Sequence, residues 1–135
     1  MRVKNWPSVL ARFIETRRNM PFAWGTHDCA LFAADAVKAI TGVDHAALFR
    51  GLYDTRDQAE AIVAQYGGLR LFINYILGPE IDPKMAQRGD VALILDARGQ
   101  EALAVCIGAS FIAPAMGGGL TFFKLQHVLT AWRAD

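Results

Sequence analysis

Neither sign of charge is in excess. Lys and Arg number 14 against 13 Asp and Glu, for a formal net charge of +1. No basic run breaks that balance, so the chain lacks the electrostatic footprint of a nucleic-acid binder. Cysteine is scarce. Cys29 and Cys106 are the two present, which needs no disulfide framework and makes a reducing compartment the default. No apolar stretch is long enough to span a bilayer. The opening "MRVKNWPSVLARF" lacks the apolar run and small-residue cleavage site of a secretory signal. The expectation is synthesis and folding in the cytoplasm, which leaves room for later delivery in a particle. CxxC and HExxH spacings are missing, so no zinc site is expected. "GGG" at Gly117–Gly119 is followed by neither a lysine nor a helix, which makes it a loop and not a phosphate cradle. No cofactor is expected.

What the chain does have is apolar content. It is 53% hydrophobic and 20% charged over 135 residues, enough for a core in one domain, 1–135, without staples. A helical front precedes a strand-rich back. Trp6, Val9, Leu10, Phe13 and Ile14 share one helical face, with Asn5 placed to cap and Pro7 suited to the first turn. A second helix is expected over about 27–41, with Thr26 or His27 as its N-cap and Gly42 as its stop. It is apolar nearly all round, the mark of a core helix. Asp44 is placed to cap a short helix through Phe49. Thr55 with Gln58 forms a capping box for the next helix, and Leu69–Leu77 reads as another, ended by Gly78-Pro79. The period then changes. "VALIL", "ALAVCI", "SFIA", "LTFFKL" and "HVLTAW" read as three to five antiparallel strands. The fold class is α+β, with the Cys29 helix packed on a small sheet.

Chemistry concentrates in "PFAWGTHDCALFAAD", Pro21–Asp35. Cys29 falls in the first turn of the second helix, where free amides and the helix dipole favour a thiolate. The competing reading is a buried core cysteine, a common fate of this residue. A nucleophile needs a base, and there are three histidines to supply one: His27, His45 and His127. His27 stands two residues before Cys29 and suits either a base or a cap. His127 opens the last expected strand and serves only if strand order brings it across the fold. His45 lies in a turn and is expected to face solvent. Asp28 is read as satisfying amides at the helix start. Phe122, Phe123, Trp6 and Trp132 are read as core or interface residues.

"FAWGTHDCALFAADAV" resembles the cysteine motif of the NlpC-type cell-wall peptidases, papain-like enzymes that cut peptide bonds in peptidoglycan. Phe22, Trp24, Gly25, Asp28 and Cys29 match its pattern, and Gly89-Asp90 in "RGDVALIL" resembles that family's lead-in to the first sheet strand. More closely, the chain resembles a family of phage and prophage proteins related to those peptidases. The shared features are the wording of Met20–Cys29, then Thr41, Gly42 and Asp44, "RGDV", "ALAVCIG" and the terminal "AWR". The resemblance implies a papain-like NlpC-type fold and a place at the tail tip or baseplate of a virion. Implied partners are other tail-tip or hub proteins, with peptidoglycan peptides as substrate if the enzyme works. It also implies Cys29 as nucleophile, with Trp24, Gly25 and Asp28 supporting its turn. The peptidase histidine begins the second sheet strand. Aligned on Gly108, Ala102 falls there, and alanine accepts no proton. Ala102 is therefore expected at the start of a central strand, facing the Cys29 helix. Three readings follow: a tail protein on a scaffold that has lost the peptidase base, an active hydrolase pairing Cys29 with His27 or His127, and a cytoplasmic tail-assembly factor.

Overall fold

A computed structural model describes residues 1–135. Four helices come first: α1 (Trp6–Arg17), α2 (Cys29–Thr41), α3 (Arg56–Ala64) and α4 (Leu69–Leu77). Six strands follow: β1 (Glu80–Ile81), β2 (Val91–Leu95), β3 (Glu101–Cys106), β4 (Phe111–Pro114), β5 (Leu120–Phe123) and β6 (Val128–Trp132). They form one antiparallel sheet in the order β1-β6-β2-β3-β4-β5. The α+β class holds, with one strand more than the sequence suggested. β1 is two residues long, too short for any period to reveal.

Helix α2 is the central beam. Phe32, Ala33, Ala36, Val37 and Ile40 are buried from it. They meet Leu10 of α1 and the sheet residues Val91, Leu93, Leu103, Val105, Ile112 and Trp132. The intervening strand residues Ala92, Ile94, Ala104, Cys106, Phe111, Ala113 and Ala131 form a second cluster on the other face. Two buried faces explain why the strands read as continuous apolar runs rather than alternating ones. Trp132 is fully buried and its indole N–H donates to Asn74 Oδ1 of α4 at 2.9 Å.

Two expected caps differ. Asn5 occupies the N-cap of α1, but its side chain makes no capping bond. The N-cap of α2 is Asp28, not Thr26 or His27: Asp28 Oδ1 accepts the Leu31 N–H at 2.9 Å. Those two residues are instead held in a tight turn, where Ala23 and His27 exchange backbone bonds of 3.1 and 2.8 Å. The segment Asp44–Phe49 forms successive turns and no regular helix. Asp44 bonds the Ala46 amide and its carboxylate is held by Arg50, with Nε at 2.9 Å. The backbone closes successive short turns instead, with the Ala47 N–H bonded to the Asp44 carbonyl and the Phe49 and Arg50 N–H groups to that of Ala46.

The Gly89-Asp90 pair ties both chain ends to the sheet. Asp90 is wholly buried. Its carboxylate accepts from Arg2 Nη2 at 2.8 Å, from the Gln87 N–H at 2.8 Å and from the Ala134 N–H at 3.0 Å. Arg2 also donates to the carbonyls of Arg88 and Ala134. Gly89 has φ +95°, and a Cβ there would press on Ile40 and the Arg2 guanidinium. Removing one partner of a buried ion pair costs about 3–5 kcal/mol. Asp90→Ala is expected to lower the urea-unfolding free energy by that amount. Arg133→Ala, which removes a looser 3.4 Å contact to Asp90 from a partly exposed side chain, should cost less than about 1 kcal/mol.

Candidate functional site

The turn before α2 is built around one carboxylate. Asp28 is buried. Its Oδ1 caps α2, while Oδ2 accepts the Gly25 N–H at 2.9 Å and the Tyr53 hydroxyl at 2.6 Å. Gly25 sits at φ +86°, and a Cβ on it would overlap the Tyr53 carbonyl oxygen. Glycine is needed twice over, for the backbone conformation and for the close approach. Trp24 leans edge-on against Phe22 at 5.1 Å. The structure therefore gathers Phe22, Trp24, Gly25 and Asp28 into a single turn leading to Cys29. It adds Tyr53, which the sequence reading missed because 25 residues separate it from Asp28.

Cys29 is the first residue of α2 and is partly exposed to a cavity of about 570 Å³. Its thiol is pushed up to about 11. Burial is the main cause, the backbone of Leu103 offsets part of it, and the neighbouring Asp28 charge raises it further. A thiolate at a helix start was the sequence expectation. Desolvation and an adjacent carboxylate outweigh the helix amides here.

No imidazole is bonded to that thiol. His27 is buried with neither ring nitrogen hydrogen-bonded, and its ring stands edge-on to Phe32 at 6.0 Å. Burial first, then the Arg17 charge, holds its pKa below the usual histidine value. His127 does not begin β6. It closes a short 3-10 turn, Leu125–His127, and is exposed beside Gln126, outside the cavity that holds Cys29. Ala102 lies on β3 as expected but on the wrong face. It packs with Ala92, Ile94 and Ala104, away from α2, whereas Leu103 and Val105 face the helix. Strand side chains alternate, so an alignment one residue out of step reverses the face. The β3 residue beside Cys29 is Leu103, which is no base either. His45, read as solvent-facing, is partly buried and lines the same cavity as Cys29.

Residues 1–134 match the family described as Domain of unknown function (DUF6950). The chain belongs to the DUF6950 family. No curated protein matches it. In this DUF6950 chain no group of three or more His, Cys, Asp or Glu side chains is placed to hold a metal ion. No helix is long and apolar enough to cross a membrane.

The chemistry open to Cys29 is that of a neutral thiol near pH 7. Its alkylation by iodoacetamide is expected to rise about tenfold per pH unit from pH 7 to 10, because the thiolate is the reactive form, and to level off only near 11. Mass-spectrometric rates for Cys29 over that range check this. A plateau already reached below pH 7 would reveal a thiolate–imidazolium pair.

Proposed function

We propose that this chain is a structural component of a phage or prophage tail, at the tip or baseplate, on an NlpC-type papain-like scaffold without peptidase turnover. One observation carries the loss of chemistry: the strand position beside the Cys29 thiol is Leu103, and neither ring nitrogen of His27 is hydrogen-bonded to anything. A cysteine peptidase needs an imidazole twice, to take the thiol proton and to protonate the leaving amine. The tail assignment rests on the sequence resemblance. What supports the scaffold is the order of parts: a cysteine opening a buried helix, that helix packed on an antiparallel sheet, and Gly89-Asp90 leading into β2. The remaining motif residues then serve folding. Asp28, Gly25 and Tyr53 fix a turn, and Asp90 fixes the termini.

A second reading has one observation in its favour. His45 and Cys29 line one cavity, so a hydrolase acting on peptidoglycan peptides would pair Cys29 with His45 rather than His27 or His127. The same assay separates the two. Purified wild-type protein, Cys29→Ala and His45→Ala are incubated with muropeptides, and products are followed by mass spectrometry. General base catalysis typically contributes about 10²–10⁴-fold, and its loss should leave all three at background. Phage carrying Cys29→Ala should assemble particles that contain the protein and infect normally. Cleavage by wild type that both substitutions abolish would establish the hydrolase and overturn the structural reading.

A further inference from the structure

We propose that the cavity between α2, the α3–α4 pair and the β2–β3 hairpin is a binding site for an uncharged ligand carrying a hydrocarbon chain. The cavity measures about 570 Å³, and 21 of its 28 lining residues are hydrophobic. Protein interiors are close-packed, with few voids larger than a water molecule. This space is far beyond a packing defect and falls within the ~300–1,000 Å³ of small-molecule sites. Its cause is visible in the sequence. Helix α2 presents Ala30, Ala33 and Ala34 to it, and α3 buries no residue completely. The facing wall of Ile62, Val63, Leu69 and Ile76 therefore stands off across small side chains. An apolar cavity holds water poorly and takes apolar ligands readily.

The mouth decides the head group. Arg56 on α3 is paired with Glu60 at 2.9 Å and reaches across to Gln100 at 2.9 Å, so its charge is already compensated and it straps α3 to the hairpin. Glu101 adds a carboxylate at the same rim, and Arg70, the cation whose charge it feels, is already paired with Glu80 at 2.6 Å. An anionic head would meet net negative charge there, while an alcohol or ester head would not. Cys29 lies in the cavity wall at the start of α2, where it reports on occupancy. The inference is independent of any tail role.

The test uses the full chain and the uncharged fluorescent probe N-phenyl-1-naphthylamine. Saturable binding at one site is expected, with displacement by decanol and displacement at least about tenfold weaker by decanoate at pH 8. Ala34→Phe and Ala30→Leu fill the cavity from α2. Each should stay folded by circular dichroism, keep or raise its unfolding midpoint, and bind the probe at least about tenfold more weakly, the loss of roughly two methylene contacts. Decanol should also slow Cys29 alkylation in wild-type protein in proportion to occupancy, with buried Cys106 as the internal control. Absence of saturable probe binding, unchanged binding in the folded filled variants, or equal displacement by decanoate would overturn the proposal. Should both variants fail to fold, wild-type Cys29 decides, and alkylation unaffected by saturating decanol overturns it.

Discussion

The carboxylate of Asp28 is the interaction on which the rest of the cysteine turn depends. A buried charge costs several kcal/mol unless it is paired or well hydrogen-bonded. Asp28 has no cation in contact. It is held by two backbone amides and one hydroxyl, and it sits at a helix N-terminus where the dipole favours negative charge. Satisfying it fixes three separate pieces of chain: the Trp24-Gly25 turn, the first turn of α2, and Tyr53 in the loop before α3. Burial and that bond to Asp28 hold the Tyr53 hydroxyl protonated, well above the usual tyrosine range. The hydroxyl is therefore a permanent donor. Cys29 takes its position and its environment from this arrangement, including the adjacent charge that disfavours a thiolate.

A second polar chain supports the first. Arg17 of α1 reaches Asp35 of α2 at 2.9 Å, and Arg50 bridges Asp35 and Asp44. Guanidinium forks thus tie the loop after α2 to the α1–α2 pair, which already shares apolar contact through Leu10, Phe13 and Phe32. His27 lies next to this network and is depressed partly by Arg17. Its backbone is committed to the bridge with Ala23 and its ring stands edge-on to Phe32, with neither ring nitrogen bonded to the thiol. The histidine closest to Cys29 in sequence is thus buried without a hydrogen-bond partner for either ring nitrogen.

Much of the fold was legible because it rests on local signals. The stop of α2 at Gly42 with φ +81°, the Thr55 cap of α3 and the Gly78-Pro79 end of α4 all follow from short-range chemistry. The candidate site was legible only in part, because its decisive relations are non-local. Whether Ala102 or Leu103 faces Cys29 depends on strand pleat and register, which a glycine-anchored alignment fixes no better than one residue. Tyr53 and His45 lie in turns with no period of their own, and their partners are set by how the loop after α2 folds back. Thr26 and His27 were plausible caps by type, but the turn from Ala23 to His27 spends them before the helix begins.

The central claim, that the cysteine turn is a structural device centred on Asp28, is tested most directly by a double-mutant cycle. Urea-unfolding free energies of wild type, Asp28→Asn, Tyr53→Phe and the double variant give the coupling between the two side chains without reference to activity. The account predicts a coupling of about 1–2 kcal/mol, the size of a charge-assisted hydrogen bond in a shared network. Additivity within about 0.5 kcal/mol would mean that Asp28 and Tyr53 act independently, and would contradict it.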